Sequence, residues 1–203
     1  MKILFVIPAR GGSKGFPGKN LACLAGIPLV GHVVSTACQA SLSHAGSRVV
    51  CSTDDPAIAD AARRWGAEVP FSRPAVLATD SAQSIDVVKH ALLALGGQFD
   101  AVALLQPTSP LTESEDILGS LNLFQETGAP VVSICQAEHP LEWYFDMDSK
   151  GRLLKIMSGS GGASAAASPT FLSTQRSGLR GLPFSDSAKR ILDFRNPGVS
   201  HAV

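Results

Sequence analysis

Ile3-Leu4-Phe5-Val6-Ile7-Pro8, followed without a break by Ala9-Arg10-Gly11-Gly12-Ser13-Lys14-Gly15-Phe16-Pro17-Gly18-Lys19-Asn20, is the stretch on which the fold turns. Residues 3–7 are continuously apolar and Pro8 closes the run, the pattern of a strand buried on both faces of a sheet. An apolar run this short, ended by Pro8 and Arg10, is not an export signal. The segment that follows, residues 9–28, is rich in Gly, Ser, Lys and Pro, and helical spacing returns over residues 29–40. The opening unit is therefore a strand, a long loop and a helix.

Downstream the same alternation repeats. Residues 48–52 form a second β-branched run, after which Thr53, Asp54 or Asp55 is placed to cap a helix with Pro56 in its first turn and Gly66 as its stop. Residues 69–71 read as a brief strand, residues 80–84 lead into an apolar-periodic helix ending near Gly96-Gly97, and residues 101–105 read as another buried strand. Thr112-x-x-Glu115 has the spacing of a capping box for a helix over residues 113–126, with Gly128 beyond it, and residues 130–136 read as a strand. Strands alternating with helices of this length predict a three-layer α/β fold, a mostly parallel Rossmann-like sheet with helices on both faces. Ligands of such sheets sit at the carboxyl ends of the strands, which lines up the loops at residues 9–20, 52–55 and 106–110.

Composition narrows the function classes. The 203 residues suffice for one core and are short for two, and 45% apolar with 17% charged residues fits a folded chain. A formal net charge of +0 provides no global field for a nucleic-acid backbone or an anionic membrane surface, so an anionic ligand must be met locally. No stretch approaches the roughly 20 apolar residues of a spanning helix, and a cytoplasmic protein is expected. Cys23, Cys38, Cys51 and Cys135 lack zinc-site spacing and read as buried reduced thiols. Trp65, Trp143 and Tyr144 read as packing residues, and His139 before Pro140 as a turn residue. Residues 145–147 and 153–156 flank a polar turn and predict a hairpin. Residues 158–169 are a Ser/Gly/Ala run without charge, read as linker or disorder, and residues 170–203 show no periodicity that assigns an element.

The chemistry concentrates in residues 9–20. Glycines let backbone N–H groups approach an anion, and Arg10, Lys14 and Lys19 bring three cations into one short loop, a combination suited to a triphosphate. It is not a Walker A loop, since Ser13 stands five residues before Gly18 where a glycine is required and Asn20 follows Lys19 where Ser or Thr is required. It is not a Gly-x-Gly-x-x-Gly dinucleotide turn either.

Residues 7–15 together with Pro17-Gly18-Lys19-Asn20-Leu21 resemble the opening signature of the acylneuraminate cytidylyltransferase (CMP-N-acetylneuraminic acid synthetase) family. The resemblance continues through Ser52-Thr53-Asp54-Asp55, Arg73-Pro74-Ala75, Leu77-Ala78-Thr79-Asp80-Ser81 and Leu105-Gln106-Pro107-Thr108-Ser109-Pro110-Leu111. It implies the sheet of nucleotide-diphospho-sugar transferases, and transfer of CMP from CTP to a sialic or related nonulosonic acid with release of pyrophosphate. By this resemblance Arg10 and Lys19 contact the phosphates. Ala9 and the backbone of Gly11, Gly12, Ser13 and Lys14 wrap the triphosphate, while Asn20, Arg73 and Ser84 match positions at the cytosine nucleotide. Asp80 faces the same crevice, and Gln106 lies where the acceptor sugar meets the nucleotide. The catalytic expectation thus falls on Arg10, Lys19 and Gln106, with Mg2+ as cofactor, CTP and a nonulosonic acid as partners, and a homodimer as the assembly.

The resemblance divides the chain into a CTP-binding domain over residues 1–157 and a linker with a divergent tail over residues 158–203. The family's later Arg/Gln-rich stretch, its Asn-Gly-Ala-Ile-Tyr strand and its magnesium-binding Asp-x-Asp pair are not recognisable, and neither is the dimer segment. Asp146-Met147-Asp148 is out of position and reads as the start of a turn, and Asp186 and Asp193 are seven apart. Thr112 stands where the family commonly has Arg. Two alternatives follow: a nucleotide-binding remnant without its metal and acceptor half, and a cytidylyltransferase for the eight-carbon sugar acid of lipopolysaccharide.

Overall fold

The computed structural model describes residues 1–13, 15–134, 145–148, 152–155, 191–194 and 201–202. In chain order the first elements are β1 (Ile3–Pro8), a 3-10 turn (Lys19–Leu21), the short hairpin β2 (Cys23–Leu24) and β3 (Ile27–Pro28), and α1 (Leu29–Ser41). There follow β4 (Arg48–Ser52), α2 (Pro56–Arg64), a second 3-10 turn (Ala75–Leu77), α3 (Ser84–Leu95), β5 (Ala101–Leu105), α4 (Ser114–Thr127) and β6 (Val132–Ser133). The last described strands are β7 (Phe145–Met147), β8 (Leu153–Lys155), β9 (Ile191–Phe194) and β10 (His201–Ala202).

The apolar run at residues 3–7 is completely buried as β1 and pairs in parallel with β4 on one side and β5 on the other. The sheet order is β10-β6-β9-β5-β1-β4, with β10 antiparallel and the remaining pairs parallel. Period-2 alternation divides β1 between two cores. Ile3, Phe5 and Ile7 join Val33 and Val34 of α1, Ile58 of α2 and Leu121 of α4, whereas Leu4 and Val6 join Val88 and Leu92 of α3. Helices therefore cover both faces, the three-layer parallel arrangement expected from the alternation of elements. Each fully buried side chain of β1 contributes about 1.5–3 kcal/mol of hydrophobic stabilisation. Trp65 packs against the first core, and a Cβ on Gly31 of α1 would lie 2.7 Å from its Nε1, so the helix approaches the indole only through glycine.

Several boundaries differ from the local reading. The brief strand expected at residues 69–71 is a single parallel bridge from Glu68 to Val50 on the outer edge of β4. The capping box of α4 is formed by Glu113 and Asp116, one residue beyond the Thr112 spacing, because Glu113 is the residue in extended conformation there. Gly96 and Gly128 end α3 and α4 in the left-handed conformation, at φ 59° and 61°. The sequence assigns no element after residue 170, yet β9 stands between β5 and β6, with Leu105 opposite Phe194 and Val132 opposite Asp193. A four-residue strand has too few side chains for a periodic signature, and its neighbours on both sides supply the hydrogen bonds that hold it.

Cys51 is buried, Cys38 half-buried and Cys23 exposed, so the expectation of a buried thiol fails at Cys23, which sits in the β2–β3 hairpin. Residues 135–174 form a separate compact unit, described through the antiparallel pair β7–β8. Within it Asp148 accepts the Arg152 N–H at 2.9 Å and pairs with the Arg152 Nε at 2.8 Å, the turn role read for it. Lys14, Cys135, His139, Trp143, Tyr144, Asp186 and residues 158–169 lie outside the described residues. Among the described residues no helix is long and apolar enough to cross a membrane.

Candidate nucleotide site

Where β1 ends, the chain is fastened to β4: the buried Ala9 donates its N–H to the Ser52 carbonyl at 2.9 Å. Arg10 then turns outward, its Nη2 paired with the Asp80 carboxylate and its Nη1 3.4 Å from the Ala78 carbonyl. Gly11 donates its N–H to Asp54 Oδ1 at 3.0 Å. A Cβ on Gly11 would fall 2.8 Å from Asp55 Oδ2, so this close approach requires glycine. Gly12 is exposed and Ser13 half-buried. Gly18, at φ 70°, starts the 3-10 turn that Leu21 closes by donating its N–H to the Gly18 carbonyl at 2.9 Å.

Asn20 closes the loop. It is 5% exposed, and its Nδ2 donates to the Arg10 carbonyl at 2.8 Å, drawing the two ends of an eleven-residue segment together. Lys19, one residue earlier, is half-buried and has no ion-pair partner among the described residues. The loop is thus a closed cradle with a cation at each end.

The second wall comes from the end of β4. Ser52, Thr53 and Arg73 are all buried. The Arg73 guanidinium donates through Nη2 to the Ser52 carbonyl and through Nε to Ser52 Oγ at 3.2 Å, while its backbone N–H reaches the Thr53 carbonyl at 2.8 Å. Burial pulls Arg73 below the ordinary guanidinium range, and the nearby Asp54 carboxylate is the leading opposing influence. A guanidinium keeps its proton in proteins, so Asp54 serves as compensation for a buried cation. Its neighbour Asp55 accepts the Ala57 and Ile58 N–H groups at 2.8 and 3.2 Å and is the N-cap of α2. Of the residues weighed as caps, the role falls to Asp55, which leaves Asp54 to meet Gly11.

Hydrogen bonds and an ion pair tie Ala9 to Ser52 and through it to Arg73, Arg10 to Asn20 and Asp80, and Gly11 to Asp54, and the backbone of residues 9–11 links the three sets. Sequence reading gave Ser52 no role and weighed Asp54 mainly as a cap; its one available signal was the polar Ser52-Thr53-Asp54-Asp55 run at a strand end. Gln106 directly follows β5, the strand beside β1, and its carbonyl accepts the Ser109 N–H at 3.0 Å. It shares a small crevice with Thr36, Leu105, Ser109 and Thr112. Ser84 is the first residue of α3 and is half-buried.

Among the described residues no three His, Cys, Asp or Glu side chains are grouped to hold a metal ion. The carboxylates around the loop are engaged by protein donors: Asp54 by Gly11, Asp55 by the α2 terminus and Asp80 by Arg10. As arranged, these residues do not form a built magnesium site.

A family model described as cytidylyltransferase matches residues 4–149. The chain belongs to the cytidylyltransferase family. The matched stretch of this cytidylyltransferase contains the whole assembly around residues 9–20 and ends ahead of β8, so β9 adds to the sheet from beyond it. The chain is 42% identical over 158 residues to the CMP-N,N'-diacetyllegionaminic acid synthase of Legionella pneumophila, covering 76% of this chain and 67% of that one. It is 35% identical over 154 residues to the N-acylneuraminate cytidylyltransferase of Escherichia coli, covering 75% of this chain and 36% of the relative. A solved structure of CMP:2-keto-3-deoxy-manno-octonic acid synthetase complexed with CTP matches with a TM-score of 0.54 at 26% identity, covering 76% of this chain and 63% of that one. The chain thus spans about two thirds of the Legionella relative and about a third of the Escherichia coli one.

Proposed function

We propose that this chain binds CTP in the loop of residues 9–20 and transfers CMP to a nonulosonic acid, with N,N'-diacetyllegionaminic acid the first acceptor to try. The observation that carries the reading is the closed loop at the end of β1, with Arg10 and Lys19 at its two ends and Asn20 clamping it shut. The relatives support the acceptor class, since their names include legionaminic, N-acylneuraminic and pseudaminic acid enzymes.

In this reading a sugar hydroxyl oxygen attacks the α-phosphorus of CTP. A phosphorus–oxygen bond to the sugar forms as the bond from the α-phosphorus to the bridging oxygen breaks; pyrophosphate departs with the bonding pair, and the hydroxyl proton passes to solvent. The protein's contribution is orientation and charge neutralisation. Lys19 and Arg10 meet the phosphates, the N–H groups of residues 11–13 line the cradle, and Gln106 at the neighbouring strand end orients the acceptor.

The test is pyrophosphate release from CTP and magnesium with each of N,N'-diacetyllegionaminic, N-acetylneuraminic, pseudaminic and 3-deoxy-manno-octulosonic acids. Release with a nine-carbon acid supports the reading, and release with the eight-carbon acid alone replaces it with the related transferase. CTP binding without release for any acid identifies a nucleotide-binding remnant.

A further inference from the structure

Two donors that the cradle would present to a triphosphate already hold carboxylates. The Gly11 N–H is on Asp54, and the Arg10 guanidinium is on Asp80. The two carboxylates are held differently. Asp54 holds the Gly11 N–H at the end of β4, and its charge offsets that of the buried Arg73. Asp80 belongs to a surface stretch: Pro74, Ala75, Val76, Thr79, Asp80 and Ser81 are exposed, and the 3-10 turn at Ala75–Leu77 buries no side chain. Moving that stretch gives up little packing, and segments of this kind lie at the low end of local stability.

We propose that Asp80 is a built-in counter-anion of the nucleotide site: it holds Arg10 while the site is empty and yields it to the phosphates when a nucleotide enters. This rests on the proposed CTP site. Arg10 is held in one place by its contacts at Ala78 and Asp80. Its desolvation and side-chain ordering are therefore already met before a nucleotide arrives. The opposing effect is repulsion, because a carboxylate beside Arg10 faces the polyanion until it withdraws. The exchange thus sets affinity according to ligand charge, tempering triphosphate binding while leaving the nucleoside part untouched.

Asp80→Asn separates the two effects, since the amide keeps an oxygen acceptor for Arg10 and loses the charge. Calorimetric titration of the full chain and of the variant with CTP, CDP, CMP and cytidine reads the result. The expected outcome is CTP bound about three- to tenfold tighter by Asp80→Asn, with a smaller gain for CMP and none for cytidine, the gain shrinking as salt is raised. Asp80→Ser, which also lacks the charge, is expected to show the same ordering across the ligands and guards against a fault peculiar to one substitution. CTP bound equally or more weakly by both variants, or an equal gain for cytidine, overturns the inference while the site stands. Failure of the unsubstituted chain to bind CTP overturns the site and this inference together.

Discussion

The side-chain amide of Asn20 donates to the backbone carbonyl of Arg10 at 2.8 Å from a position that is 5% exposed. Through that bond a buried residue at the far end of the loop fixes the backbone of Arg10. Removing it opens the cradle without touching a charge. Asn20→Ala is expected to weaken CTP binding by about tenfold while lowering folding stability by only about 1 kcal/mol, as for the loss of one hydrogen bond. Calorimetry with CTP and urea unfolding of the same preparation check the two halves.

Arg73 faces inward, and its guanidinium is bonded to both the carbonyl and the hydroxyl of Ser52. Arg73→Met removes a buried cation together with its bonds and leaves the buried Ser52 carbonyl and hydroxyl without that donor, so a loss of about 2–4 kcal/mol is expected. Arg73→Lys keeps the charge but not the two-pronged donor geometry and is expected to recover only part of that loss. Urea unfolding midpoints of the three proteins order them as wild type, Lys, then Met.

Burial pushes the Cys51 thiol up to about 12, so at neutral pH it carries no thiolate, whereas Cys23 stands exposed in the β2–β3 hairpin. Iodoacetamide applied to the native chain at pH 8 is expected to modify Cys23 within minutes and to spare Cys51 until denaturant is added. Mass spectrometry of the two peptides reads this directly.

His44 follows α1 with Nδ1 buried and without a hydrogen-bond partner. Burial, and next the charge of the amino terminus, lower its pKa below the ordinary 6.5 against a weaker pull from the Ala40 backbone. A folded state that resists protonating this ring binds fewer protons than the unfolded chain, so its contribution to stability falls as pH drops below 6.5 and is constant above it. The stability difference between wild type and His44→Gln, followed by urea unfolding from pH 7.5 to 5.5, is expected to shift towards the variant as the pH falls.

The sequence by itself determined the parallel three-layer architecture and the place of the phosphate-suited loop. Both rest on local information: the unbroken apolar run at residues 3–7, the 3.6 spacing of the helices that follow, and glycines and cations gathered within residues 9–20. Tertiary structure decided which charge meets which donor. Asp54 lies 43 residues from Gly11 and Asp80 lies 70 from Arg10, and only the register of β1 against β4 and the path of the chain after β4 bring them together. It also turned Arg73 onto Ser52 and seated β9 beside β5. These are pairings between distant segments, and local periodicity carries no record of them because their energy exists only once both partners are in place.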